Sequence, residues 1–220
     1  MADLKVGRFT IGSFGTNCYF VYHESDLEAS KKQGAPCPVL VFDPAENGGV
    51  IYEALTSKGF TVAAILLTHG HVDHIAGVKE LAQLSGAKVY ANEKEIDLCA
   101  DMHDNLSTMF GTPLRVQVDE GLQDGKEYTF ADITFQMIST PGHTAGSCVY
   151  YFKEADLLIS GDTLFDGSVG RTDFPTGSMS ILVHSIKHKL FTLPEKTICY
   201  PGHGGTTTIG WEKDNNPFVV

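Results

Sequence analysis

Three imidazoles and a carboxylate crowd into one short run, Thr68-His69-Gly70-His71-Val72-Asp73-His74. Packing does not ask for so many titratable side chains in so few residues, whereas a metal ion does. His69 and His71 are two apart, so in extended chain their rings point to one side, and Asp73 and His74 follow where a helix would begin. Three later turns each add one candidate beside a glycine: Thr140-Pro141-Gly142-His143, Ser160-Gly161-Asp162-Thr163 and Tyr200-Pro201-Gly202-His203. Glycine lets backbone approach such a site closely. Imidazole and carboxylate donors without thiolate suit zinc, with iron or manganese also chemically acceptable. His69, His71, Asp73, His74, His143, Asp162 and His203 are too many for one tetrahedral ion and suit two. Two ions about 3.5–4 Å apart can share a carboxylate and a water, acidify that water and polarise a carbonyl, so no serine or cysteine nucleophile is required.

The remaining histidines lack this company. His23 and His103 stand alone as hydrogen-bonded surface residues. His184 and His188 have the i, i+4 spacing of a helical metal pair, but no glutamate sits between them, and they are placed on a solvated helix face.

Short strands must deliver these turns. Val6, Phe9 and Ile11, then Cys18 to Tyr22, read as two antiparallel strands; Glu24 to Pro38, polar and with two prolines, reads as an exposed loop. Val39 to Phe42 is a buried strand ending at Asp43-Pro44. Val50 to Lys58 reads as a helix closed by Gly59, and Thr61 to Leu67 as the strand that leads into Thr68. Ile75 to Leu84 has helical spacing with Gly86 as its stop. Lys88 to Ala91 is strand, Glu93 to Cys99 a short helix, and Asp101 to Pro113 a mobile segment over a site. Strands and turns return from Arg115 to Ile138, with Asp124-Gly125 as a hairpin signal. Ser147 to Phe152 and Asp156 to Ser160 form a strand pair, Ile181 to Leu190 an amphipathic helix, and Thr197 to Tyr200 the final strand. Strands and helices in both halves are compatible with a two-sheet sandwich flanked by helices, in one domain over 1–220.

The bulk numbers set outer limits. A formal net charge of -11 repels polyanions, which speaks against a general nucleic-acid partner. The five cysteines are odd in number, widely spaced and without a Cys-x-x-Cys pair, so they are expected to be buried small hydrophobes rather than disulfides or a zinc ribbon. The first ten residues lack an apolar core of a signal peptide, and no stretch is long enough to span a membrane, so a cytoplasmic location is expected.

The order His-x-His-x-Asp-His, then His, Asp and His, resembles the metallo-β-lactamase superfamily, and the likeness runs from Asn17-Cys18-Tyr19 to Asn216-Pro217-Phe218. Within it, Gly161 to Phe165, Gly167 to Asp173, and Tyr200 to Gly204 with Thr207 to Gly210 are similar to the short, single-domain branch of the glyoxalase II-like (hydroxyacylglutathione hydrolase-like) enzymes. The resemblance implies an α/β fold, a four-layer αββα sandwich with metal at the edge between the sheets. It implies two Zn2+, with iron or manganese as alternatives: His69, His71 and His143 on one ion, Asp73, His74 and His203 on the other, and Asp162 bridging. It implies hydrolysis of a small-molecule thioester such as S-lactoylglutathione, with Asp73 helping to orient the attacking hydroxide. Asp43 is either a hydrogen-bonding partner of a ligand imidazole or a turn residue ahead of Pro44. Arg171 either holds a substrate carboxylate or forms a surface salt bridge to Asp173.

One departure bears on substrate. The two-domain enzymes bind glutathione with a C-terminal helical domain, and only 17 residues (220 − 203) follow His203. The other readings weighed are a mononuclear iron persulfide dioxygenase, similar in the Gly170 to Phe174 run but without the Pro201 to Gly204 turn, and a phosphodiesterase of the same superfamily, disfavoured by the acidity. A β-lactamase is disfavoured because Asp162 stands where the zinc β-lactamases typically use a thiolate.

Overall fold

In the computed structural model, which describes residues 3–219, the alternating N-terminal residues form the hairpin β1 (Leu4–Ile11) and β2 (Thr16–His23). The chain continues through α1 (Glu24–Gln33), β3 (Cys37–Phe42), α2 (Gly48–Thr56), β4 (Phe60–Leu66), α3 (Val72–Ile75) and α4 (Val78–Ser85). Then come β5 (Lys88–Asn92), a 3-10 turn over Glu93–Glu95, α5 (Ile96–Ala100), β6 (Glu120–Leu122), β7 (Glu127–Phe130) and β8 (Ile133–Ser139). The last third holds β9 (Cys148–Phe152), β10 (Leu157–Gly161), β11 (Leu164–Phe165), β12 (Ser168–Val169), α6 (Met179–His188), β13 (Ile198–Pro201), β14 (Thr207–Thr208) and α7 (Ile209–Asn215).

The strands form two six-stranded sheets, one in the order β1-β2-β3-β4-β5-β6 and the other β14-β13-β10-β9-β8-β7. Period-2 alternation sorts their side chains. Tyr19, Val21, Leu40, Phe42 and Leu66 of the first sheet meet Phe135, Met137, Tyr150, Phe152 and Ile159 of the second in a shared core. The opposite face of the first sheet packs Val39, Val41 and Ile65 against Ile51, Leu55, Val78 and Leu81 of α2 and α4. The outer face of the second sheet packs Val149, Leu158 and Cys199 against Leu182 and Ile186 of α6 and Ile209 of α7. The result is a four-layer αββα sandwich, the expected fold. All five cysteines are buried and free, as their spacing suggested.

Four local expectations need correction. The loop expected over Glu24 to Pro38 contains α1: Glu24 and Asp26 at its start and Lys31 and Lys32 at its end complement the helix dipole, and Gly34 closes it in the left-handed region. The helix expected over Ile75 to Leu84 is divided. Gly77 packs so tightly on the Pro44 turn that a Cβ would lie 2.7 Å from the Pro44 carbonyl, and its N–H donates to Pro44 O and Ala45 O instead of continuing α3. Asp124-Gly125 lies between sheets rather than within a hairpin; the β7–β8 turn is Ala131-Asp132, both at positive φ as a type I′ turn requires. Finally, β13 is not last, because β14 and α7 follow it. Thr208 caps α7 by accepting the Trp211 N–H, and Glu212 is buried.

Candidate metal centre

The apolar strands end together at one edge of the sandwich, and each end turns into a candidate ligand. β4 runs into Thr68 and the histidines, α3 carries Asp73 and His74, β8 leads to His143, β10 to Asp162 and β13 to His203. Thr16, at the start of β2, bridges to His203, and the Asn17 N–H donates to Gly202 O at 2.7 Å, so the two sheets are tied at this edge.

All seven predicted residues come together, in two groups. His69 Nε2 and His71 Nδ1 lie 3.2 and 2.9 Å from His143 Nε2. His74 Nε2 lies 3.4 Å from His203 Nε2, and Asp73 Oδ2 is 3.6 and 3.3 Å from these two nitrogens. Donors about a tetrahedral ion with bonds of 2.0–2.1 Å are separated by roughly 3.3 Å. Asp162 stands between the groups: Oδ1 is 3.4 Å from His74 Nε2, and Oδ2 is 3.7 and 3.5 Å from His143 and His203 Nε2. Gly202 makes room for it, since a Cβ there would sit 2.1 Å from Asp162 Oδ1.

The partners behind the rings decide which nitrogens are bare. His143 Nδ1–H donates to the Arg171 carbonyl (2.7 Å), and His74 Nδ1–H to Asp43 Oδ2 (3.0 Å). The Thr68 hydroxyl donates to the same Asp43 oxygen (2.6 Å), so it must accept from His69 Nδ1 (3.1 Å). The Thr68 N–H takes the other Asp43 oxygen (2.8 Å). Asp43 therefore orients one ring of each group, directly for His74 and through Thr68 for His69. His69 Nε2 and His143 Nε2 are left as two lone pairs facing each other with no proton to share. Asp162 Oδ1 is buried without a hydrogen bond. Lone pairs converging in this way fit a cation between them.

The charge state points the same way. Burial and the neighbouring rings push His69, His71 and His143 down, His71 to about 3, so these imidazoles stay neutral. Burial alone would raise the Asp162 carboxyl, but His74 and His203 hold it well below the usual range. Against the same burial, Asp162 and Asp73 raise His74 well above its ordinary value and His203 to about 9. A divalent cation competes with protons for those nitrogens.

The Metallo-beta-lactamase superfamily profile matches residues 38–203, more than half of the chain. The chain belongs to the metallo-β-lactamase superfamily. It is 37% identical over 218 residues to the probable metallo-hydrolase YqgX of Bacillus subtilis, covering 98% of each chain. To the hydroxyacylglutathione hydrolase GloC of Haemophilus influenzae it is 31% identical over 223 residues, again covering 98% of each. Among solved structures, the BLEG-1 B3 metallo-β-lactamase superposes with a TM-score of 0.88 at 35% identity, covering 98% of this chain and 100% of that one. TTHA1623 in a di-iron-bound form gives 0.82 at 30%, covering 96% and 99%.

In this superfamily member the centre opens into a cleft of about 340 Å³. Phe14, Leu106 and Phe110 line it together with Phe165, Val169 and Phe174. Leu106 and Phe110 come from the segment expected to lie over the site, which is held by internal bonds: Asn105 Nδ2 donates to Leu114 O (3.0 Å) and the Ser107 N–H to Asn105 Oδ1 (2.9 Å). Arg171 also lines the cleft, its guanidinium 3.9 Å above the Phe174 ring and in two 2.7 Å bonds with Asp173. Of the two readings of Arg171, the salt bridge to Asp173 is the one the geometry shows, and it stands at the lining of the cleft.

Of the other histidines, His184 and His188 lie side by side on the exposed face of α6, centroids 4.3 Å apart with their rings tilted, and exposed His103 pairs with Asp104. Sequence reasoning missed Thr16, whose hydroxyl donates to Asp73 Oδ2 (3.2 Å), and Glu95, buried behind the His69 to His71 turn. It also missed Glu212 of α7 and Asn216, which caps that helix; they respectively accept the Gly167 N–H and donate to Ser168 O, fixing the β11–β12 hairpin that carries Phe165 and Val169. Nothing in the sequence singled out Glu95, because its burial and its two partners appear only in the fold.

Proposed function

We propose that the protein is a binuclear metallo-hydrolase that cleaves a thioester such as S-lactoylglutathione into a carboxylic acid and a thiol. Asp162 carries this reading: one of its oxygens faces His74 and the other His143 and His203, so it belongs to both donor groups at once. On this reading His69, His71 and His143 hold one ion, Asp73, His74 and His203 the other, and Asp162 bridges. Zinc suits the donors; iron suits them too, and TTHA1623 is a di-iron-bound neighbour.

Two divalent cations so held acidify water at neutral pH and polarise a carbonyl. Asp73, its Oδ2 fixed by the Thr16 hydroxyl, sits on the cleft floor and orients the attacking water. The apolar walls exclude bulk water and seat the acyl or thiol chain. Arg171 offers a cation to a substrate carboxylate in exchange for Asp173. Among the described residues that line the cleft, Arg171 is the one titratable side chain apart from the proposed ligands, so none of them adds a separate general acid. A thiol, with a pKa near 8.5, leaves as thiolate without one far more readily than an amine does. That favours a thioester over a β-lactam. The name hydroxyacylglutathione hydrolase on a relative of full length supports the same chemistry.

The test is metal analysis of purified protein alongside turnover of S-lactoylglutathione. Two ions per chain with turnover, both lost in Asp162→Ala, is the expected result. One iron per chain with oxygen consumption on glutathione persulfide would replace this reading by a dioxygenase, and faster opening of a β-lactam would replace it by the activity for which BLEG-1 is named.

A further inference from the structure

Glu95 ends the 3-10 turn after β5 and is 1% exposed. Its Oε1 accepts two hydrogen bonds, from the Gly70 N–H at 2.9 Å and from the Thr144 hydroxyl at 2.8 Å. Gly70 lies between His69 and His71, and Thr144 follows His143. One carboxylate oxygen therefore grips both turns that carry the first donor group, without touching a ligand ring. The turn after His143 runs against the carboxylate so closely that a Cβ on Gly146 would lie 2.4 Å from Glu95 Oε2. Asn92, at the head of the same 3-10 turn, adds a brace by donating to Gly146 O at 2.9 Å and Ser139 Oγ at 3.1 Å. The second donor group is served from elsewhere, by Thr16 on Asp73 and Asp43 on His74.

The 69–71 turn belongs to the first sheet and the 143–147 turn to the second. At the feet of these turns the sheets are joined directly, the Cys148 N–H donating to Thr68 O at 2.9 Å and the Tyr150 hydroxyl to Leu67 O at 2.7 Å, and Glu95 adds the tie between the turns themselves. Burying a carboxyl is costly where an apolar residue would pack, and burial raises this one to about 7. Its Oε2 finds no hydrogen-bond partner.

We propose that Glu95 is a positioning residue that sets the distance between the His69/His71 turn and the His143 turn, and so governs the affinity of the first metal ion independently of the second. This rests on the ligand assignment made under Proposed function. Loss of such an outer partner weakens metal binding by roughly 10–100-fold.

The test is cobalt(II) titration of wild type, Glu95→Ala, Glu95→Gln, Thr144→Val and His143→Ala, read by visible absorption and chelator competition, with melting temperature measured in parallel. The ion whose uptake disappears in His143→Ala identifies the first site. Glu95→Ala is expected to weaken that ion by at least about 10-fold and leave any other ion unchanged. Glu95→Gln, which keeps a carbonyl oxygen for both donors, is expected to restore most of the affinity. Thr144→Val, which cuts one of the two grips, is expected to fall between, and it carries the test if Glu95→Ala does not fold. Equal weakening of both ions, or unchanged affinity for the first, overturns the proposal. Wild type that binds a single cobalt ion sinks the two-ion reading but leaves this comparison intact. Full cobalt uptake by His143→Ala overturns both.

Discussion

At the scale of the residue, the centre depends on groups that never touch a metal. Asp43 holds His74 directly and His69 through Thr68. Asp43→Ala removes the acceptor for His74 and for the Thr68 hydroxyl that holds His69, and is expected to lower metal affinity roughly 10–100-fold with the fold retained, as read by competition with a chromophoric chelator. Arg171 is a different case, because Asp173 already satisfies it at an exposed position. Arg171→Ala is expected to leave metal content unchanged while lowering kcat/KM for thioesters that carry a carboxylate, and to spare neutral thioesters; equal rates on both would remove it from substrate binding. The histidine run was legible because its residues are adjacent in the chain. Asp43 was only half legible, since a turn acid ahead of proline looks the same with or without an imidazole behind it. Glu95 and Thr16 were not legible, because what they grip arrives from distant turns.

At the scale of the element, strands were read from alternation and helices were lost where the signal was electrostatic. Helix α1 has little apolar face to betray it; its support lies in end charges and in a lock at its start. There the Ser25 N–H donates to Asp3 Oδ2 at 2.9 Å, and His23 Nδ1 lies 2.6 Å from Asp3 Oδ1. The Ser25 bonds and His23 lower the Asp3 carboxyl; burial lowers His23, but Asp3 outweighs it and the net shift is upward. The lowered acid contributes stability above its unfolded pKa of about 3.9, lost as pH falls through the folded value. The raised His23 contributes below about 6.5, lost as pH rises through its folded value. The lock is therefore strongest between roughly pH 4 and 6.5. Asp3→Asn should lower the urea midpoint most in that window and progressively less towards pH 8, and a constant difference across pH would contradict it. The misreadings at Asp124-Gly125 and at the C-terminal α7 share one cause: both places are determined by which sheet the next strand joins, and local turn chemistry does not encode that choice.

At the scale of the whole molecule, the donor groups couple the two sheets. Asp73 and His74 follow a strand of the first sheet, whereas Asp162 and His203 end strands of the second, and carboxylates and rings crowd where they meet. Ions that bind this folded edge and not the unfolded chain stabilise the fold by mass action. Treatment with a chelator is accordingly expected to lower the melting temperature, restored by zinc in stoichiometric amounts; an unchanged melting curve with the metal demonstrably removed would show that packing and direct hydrogen bonds join the sheets without help from the ions. The order of strands and helices was compatible with a two-sheet sandwich, but its four layers were legible only through the family resemblance, because alternation does not say that Tyr19 and Phe42 of one sheet meet Phe135 and Tyr150 of the other.

The tie between Asn17 and the Gly202 turn has a temporal meaning as well. Asn17 Nδ2 donates to Pro201 O at 2.9 Å, and its backbone N–H to Gly202 O, joining the first hairpin to a turn that is made 184 residues later. A nascent chain emerging from its N-terminus holds His69 to His74 long before His203 exists, so its early histidines have no finished pocket to offer. Contacts of such sequence separation close slowly. The donor set is thus complete only after the 200–203 turn has been made and has reached the first hairpin, so a finished centre reports that this distant contact has formed.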